Sequence, residues 1–103
     1  MSELDIQQVA GYFRDIEGNA ESRSLKISLS ERLVLYKDES QIVGDEKTVP
    51  LDLDGNWSTE LVDTDSMLGE IYYKFEINGR IYRKLVPVHP HCWDFNDLPD
   101  FIF

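Results

Sequence analysis

Ile71-Tyr72-Tyr73-Lys74-Phe75-Glu76-Ile77-Asn78-Gly79-Arg80-Ile81-Tyr82-Arg83-Lys84-Leu85-Val86-Pro87 alternates in side-chain character on both sides of Asn78-Gly79. Alternation with a period of two marks a half-buried strand, because successive side chains point to opposite faces. Asn and Gly both tolerate positive φ, so Asn78-Gly79 predicts a two-residue hairpin that pairs a strand at Gly69–Ile77 with one at Arg80–Pro87. Ile71, Tyr73, Phe75 and Ile77 then form the inner face of the first strand, and Ile81 and Leu85 that of the second.

The same period extends outward along the chain. Leu25, Ile27 and Leu29 alternate with Lys26, Ser28 and Ser30. Further strands are expected at Ile6–Arg14, Ser24–Leu29, Leu33–Tyr36, Thr48–Leu53 and Asn56–Leu61, with a short additional one at Gln41–Val43. Gly18-Asn19 and Gly55-Asn56 supply turns between them. Seven to eight short strands without a long helical pattern predict an all-β fold, a small antiparallel β-sandwich or barrel. A single helical turn is expected within Thr64–Gly69, and a helix over Ser2–Val9 is the weaker alternative to the first strand. Lys37–Lys47 reads as a long exposed loop, and no internal repeat is expected. The expected core is Leu25, Ile27, Leu29, Leu51, Leu53, Trp57 and Leu61, together with the inner hairpin residues.

Composition narrows the function classes. The 103 residues make one domain, and 42% hydrophobic residues suffice for one modest core. Twenty acidic residues against ten basic ones give a net charge of -10. Such a surface repels phosphate backbones and anionic lipids, so neither nucleic acid nor membrane is an expected partner. Cys92 is the one cysteine, so no internal disulfide can form. No signal peptide or membrane-spanning run is expected.

Residues 1–87 are expected to form the sandwich and residues 88–103 a C-terminal extension that docks elsewhere. The extension is apolar where chain ends are usually polar. Trp93, Phe95, Leu98, Phe101, Ile102 and Phe103 crowd it, with Asp94, Asp97 and Asp100 between them. Aromatic anchors within a polar surround are how protein interfaces concentrate binding energy, so these six residues are the expected interface. The competing expectation is that the tail packs on its own sandwich and closes the core.

Three other constellations carry less. Asp52, Asp54 and Asn56 resemble the opening of a calcium loop, but Trp57 stands where that loop needs Gly, so a hairpin turn with an acidic rim is expected. His89-Pro90-His91-Cys92 holds the only two His and the only Cys, one cluster where a structural zinc uses two, and reads as polar tail. Tyr72 and Tyr82, on neighbouring strands, are expected to share a face as a cross-strand pair, with sugar stacking as the functional alternative. No Gly-rich phosphate loop, nucleophile elbow or paired metal cluster is present, so no catalytic centre and no cofactor are expected.

The order of elements Gly11–Asn19, Leu25–Leu29, Val49–Leu61, Ile71–Gly79 and Tyr82–Pro87 resembles the prealbumin-like, immunoglobulin-like β-sandwich modules of tailed-bacteriophage virion proteins. The likeness lies in the turn Asp54-Gly55-Asn56-Trp57, the strand Tyr73-Lys74-Phe75-Glu76-Ile77 and the ending Val86-Pro87, and covers residues 6–87. It implies a non-enzymatic neck, tail, fibre-attachment or capsid-decorating subunit of a virion, made in the host cytoplasm. Its partners would be other virion structural proteins, with a homo-oligomer within the assembly compatible with the same role. A carbohydrate-binding or adhesion module is the alternative implied by related sandwiches.

Overall fold

The computed structural model describes residues 5–102 and shows an almost entirely β chain. Its strands are β1 (Ile6–Tyr12), β2 (Ser24–Leu29), β3 (Leu33–Leu35), β4 (Gln41–Val43), β5 (Lys47–Pro50), β6 (Asn56–Val62), β7 (Tyr73–Ile77), β8 (Arg80–Lys84) and β9 (Trp93–Asp94). A three-stranded sheet in the order β6-β1-β9 faces a four-stranded sheet in the order β5-β2-β7-β8, and β3 and β4 form a separate ribbon. All pairings are antiparallel except the short β1–β9 pair. Val9 from the first sheet and Leu25, Ile27, Phe75 and Ile77 from the second meet in one core, which makes a small β-sandwich.

The hairpin forms as the Asn78-Gly79 signal requires. Ile77 pairs with Arg80, and Asn78 and Gly79 take φ of 49° and 78°. That register overturns the expected inner face of β8. Tyr82 lies opposite Phe75 and Lys84 opposite Tyr73, so Tyr82, Lys84 and Val86 face inward, whereas Ile81 is exposed and Leu85 half-buried. Directly paired residues share a face, so the inward set Tyr73, Phe75 and Ile77 dictates the inward set of β8 whatever its hydrophobicity. Tyr72 therefore does not share a face with Tyr82: Tyr72 stacks on Phe101, whereas Tyr82 packs on Phe13 and Phe95 in the core.

Other expectations are corrected as well. The short strand expected at Gln41–Val43 forms as β4 and pairs with β3 through Leu33↔Val43 and Val34↔Ile42, so the region Lys37–Lys47 is not all loop. The segment after β6 makes a turn at Asp65-Ser66 and no helix, and Met67 bridges to Tyr36. Asp52–Asn56 is not a hairpin turn, because β5 and β6 belong to different sheets and the turn carries the chain from one to the other. Leu53 is consequently at a corner, 90% exposed, and not in the core. The Ser2–Val9 helix gives way to β1 from Ile6 onward, and its first residues, Ser2 to Leu4, lie outside the described residues.

A short internal repeat is present after all. Asp15-Ile16-Glu17-Gly18-Asn19 and Asp52-Leu53-Asp54-Gly55-Asn56 fold alike. In each, the aspartate Oδ1 accepts from the backbone N–H two and four residues on, at 2.9–3.0 Å. In each, the glycine N–H donates to the aspartate carbonyl at 3.0 Å, and the glycine has φ of 84° or 82°. The two turns are tied together by Phe13 N–H donating to the Gly55 carbonyl and Ala20 N–H to the Leu53 carbonyl, both at 3.0 Å.

Candidate functional site

The C-terminal segment, which holds the expected interface residues, packs for the most part on the domain itself. Trp93 and Asp94 form β9 and add to β1 through Val9↔Trp93 and Ala10↔Asp94. The half-buried Trp93 donates its indole N–H to the Pro87 carbonyl at 2.8 Å and lies 4.4 Å from the His89 ring. Asp94 caps a 3-10 turn at Phe95–Asp97, its carboxylate accepting from the Asn96 N–H at 2.9 Å. That turn drives Phe95 between the sheets. Phe95 is 5% exposed, with the rings of Phe13, Trp57, Phe75 and Tyr82 all 5.0–5.7 Å from its own. Leu98 is buried beside it.

The chain then reaches the opposite sheet. Leu85 N–H donates to the Pro99 carbonyl at 2.8 Å and Phe101 N–H to the Arg83 carbonyl at 2.9 Å, so Pro99–Phe101 covers the outer edge of β8. Asp100 pairs with the Lys84 ammonium at 2.7 Å, and Phe101 stacks on Tyr72 at 4.3 Å. Residues 93–101 thus cross from one sheet to the other and close one side of the sandwich. The tail thus packs on its own sandwich, as the competing expectation had it: Phe95 and Leu98 are buried in the core, Trp93 and Phe101 are half-buried on the sandwich surface, and Ile102 is 85% exposed. Phe103 lies outside the described residues. The physical reason is apolar burial: Phe95 and Leu98 leave water for the space between the two sheets.

The other candidate residues make local hydrogen bonds. The His89 ring nitrogen contacts the His91 backbone, and the Cys92 thiol donates to the Trp93 carbonyl at 3.5 Å. Among the described residues, no group of three or more His, Cys, Asp or Glu is placed to hold a metal ion. Asp52 is a turn anchor: backbone and side-chain hydrogen bonds from Asn56, with the Asp54 N–H, hold its carboxyl below the usual carboxylate range. Asp63, the one buried carboxylate among the described residues, accepts from the Tyr36 hydroxyl and from the Ser66 N–H, and both Asp63 and Tyr36 are closed to solvent. Such a carboxylate anchors three segments and offers no chemistry to solution.

The surface the sequence reading missed is the outer face of the β3–β4 ribbon. Leu33 lies opposite Val43, and Leu35 follows on the same face two residues on. Leu68 is held beside Leu35 by its N–H, which donates to the Leu35 carbonyl at 2.8 Å. All four are about half to three-fifths exposed. Their neighbours Val34, Ile42, Tyr36 and Met67 point inward and fasten the ribbon to the core. The signal in the sequence was the uninterrupted run Leu33-Val34-Leu35-Tyr36, apolar on both faces where a half-solvated strand would alternate. Acidic residues border this face at Glu31, Asp38, Glu39, Asp45, Glu46 and Glu70, against Arg32, Lys37 and Lys47. Arg32 pairs with Asp45, Lys37 with Asp5 and Lys26 with Glu46, and the acidic residues still outnumber the basic ones along this border.

Compared with known proteins, the chain matches no family model and no curated protein.

Proposed function

We propose that this chain is a non-enzymatic assembly module that docks on a neighbouring subunit through the outer face of the β3–β4 ribbon. The observation that carries the reading is the juxtaposition of Leu33, Leu35, Val43 and Leu68 on one solvent-facing surface. Contiguous exposed apolar side chains rimmed by polar ones mark interaction sites, whereas isolated ones need no explanation. The acidic border selects the partner. It fits a protein surface whose apolar side chains are flanked by Lys and Arg, and it disfavours a second copy of a chain with net charge -10.

The setting proposed is a bacteriophage virion, with other virion structural proteins as partners. What supports it is the resemblance over residues 6–87, whose corner turn Asp54–Trp57 and strand Tyr73–Ile77 are well-formed elements of this sandwich. The sugar-stacking alternative loses its platform, because Tyr72 and Tyr82 lie on opposite faces.

The test is co-sedimentation of the tagged chain with particles from its native source. Wild type should travel with the particle at a fixed ratio. A Leu33→Ser/Leu35→Ser variant with an unchanged circular dichroism spectrum should stay in the soluble fraction. Wild type found only in the soluble fraction defeats the virion setting, and incorporation of the double variant defeats the assigned face.

A further inference from the structure

The repeated turns at the other end of the sandwich point to a second contact surface. Tyr12 pairs with Asn56 and Ser24 with Pro50, so both turns lie at the end of the sheets where β1 finishes and β2 begins. The ribbon follows Leu29, at the far end of β2, so ribbon and turns lie at opposite ends of the strands.

Each turn carries a large aliphatic side chain at the same position, Ile16 in one and Leu53 in the other. Ile16 is fully exposed and Leu53 nearly so. The folding of the turns does not ask for this. The bonds that close them come from Asp15, Glu17, Gly18 and Asn19 and from Asp52, Asp54, Gly55 and Asn56, with no contribution from an apolar side chain. A polar residue at either tip would fold as well and dissolve better. Each aliphatic side chain also sits between two carboxylates in sequence, Asp15 and Glu17 or Asp52 and Asp54. The turns are held rigidly by their own bonds and by the Arg14 guanidinium, whose Nε donates to the Asp54 carbonyl at 2.7 Å and whose Nη2 donates to the Asn56 Oδ1 at 2.9 Å. A cleft of about 470 Å³ opens beside Leu53, with Ala20 and Leu51 in its apolar lining.

We propose that Ile16 and Leu53 are paired prongs that enter apolar sockets ringed by Lys and Arg on a second partner protein. Four carboxylates flanking the two apolar tips in sequence, against Arg14 and Arg23, leave this end net acidic, which matches such a surface and repels a like-charged one. Little ordering is needed on binding because both tips are already fixed. With the ribbon face at the other end, the module spans two partners, and the prong site stands whether or not the ribbon docks.

The experiment is selection of a random peptide library on the immobilised full chain. The enriched peptides are then synthesised and titrated against wild type, Ile16→Ser/Leu53→Ser and Leu33→Ser/Leu35→Ser. Both variants change exposed positions, and unchanged melting curves confirm their folds. Enriched peptides should carry Leu, Ile, Phe or Trp beside Lys or Arg. They should bind wild type and the ribbon variant equally, bind the prong variant at least tenfold more weakly, and weaken as salt rises. No enrichment, enrichment without basic residues, or binding that the ribbon variant alone abolishes overturns the proposal. So does prong-dependent adsorption to phosphatidylcholine vesicles, which would make a lipid surface the occupant.

Discussion

The hydroxyl of Tyr36 donates to the carboxylate of Asp63, and both side chains are fully buried. The pair joins the end of β3 to the end of β6, while the second carboxylate oxygen accepts from the Ser66 N–H at 3.0 Å and shapes the turn that leads Met67 back to Tyr36. Lys37 and Met67 are positioned by the same crossing, so the ribbon's attachment to the sandwich runs through it.

Tyr36→Phe should therefore cost about 2 kcal/mol, because it leaves a buried carboxylate short of a charged hydrogen bond. Asp63→Ala should cost more, since it also orphans Ser66. Adding Tyr36→Phe to Asp63→Ala should cost little further, as the tyrosine hydroxyl has already lost its acceptor. Urea unfolding of the three variants checks this. Additive effects would show that the two residues do not act as a unit.

Gly11 is paired with Trp57 across β1 and β6 and has aromatic rings where a side chain would be. A Cβ there would stand 2.8 Å from the Phe95 Cβ and 3.0 Å from the Trp57 ring. Gly11→Ala should destabilise the domain by about 1–3 kcal/mol, the usual range for overpacking a filled core. A melting temperature equal to wild type would mean that the tail moves aside freely.

Truncation after Cys92 should unfold or aggregate the protein. Phe95→Ala alone should cost about 3–5 kcal/mol, a large part of the stability of about 5–15 kcal/mol that a domain has in all. Size-exclusion chromatography and circular dichroism of the shortened chain decide it. A folded, monodisperse product would show that residues 93–101 are dispensable to the core.

Much of the fold was legible because local chemistry dictates it. The Asn78-Gly79 turn and the alternation of Leu25–Leu29 and Tyr73–Ile77 need no distant partner to be read. The face of β8 was misread because Ile81 and Leu85 are more hydrophobic than Lys84, yet pairing across a two-residue turn outranks hydrophobicity and puts Lys84 inside. The tail's composition showed that it must be covered, but whether by its own chain or another depends on how the two sheets pack, a property of the whole fold. The likeness of Asp15–Asn19 to Asp52–Asn56 was written in the sequence. Its meaning was not, because that depends on two distant turns meeting at one corner.

Lys84 shows what such an inward cation is for. Its ammonium reaches past the Phe95 ring, 5.2 Å from the centroid, to Asp100 at 2.7 Å. Lys84→Met should be tolerated within about 1.5 kcal/mol, because the stem keeps its packing and the desolvated charge disappears. Asp100→Ala should cost about 1–3 kcal/mol, leaving the buried ammonium with the Leu98 carbonyl at 3.4 Å as its acceptor. A larger loss for Lys84→Met than for Asp100→Ala in chemical unfolding would reverse this account of the latch.

Alkaline pH should weaken the domain through Tyr73. Burial pushes its phenol well above the ordinary tyrosine value of 10.0, and the nearby charge of Asp63 adds to the effect. Its hydroxyl also donates to the Val62 carbonyl at 2.8 Å, a bond that exists only while the proton is present. The folded value lies above the unfolded one, so the folded state holds this proton more tightly. Its stabilisation is complete below about pH 10 and is lost as pH rises from there toward the folded value. Over that interval the loss from this one group approaches about 1.4 kcal/mol per pH unit. Urea unfolding at pH 8, 10, 11 and 12 should show stability flat at first and then falling. Tyr73→Phe should be less stable than wild type at pH 8, having lost the Val62 bond, and should fall less steeply above pH 10. Parallel slopes in the two proteins would assign the alkaline loss to other groups and sink the role given to Tyr73.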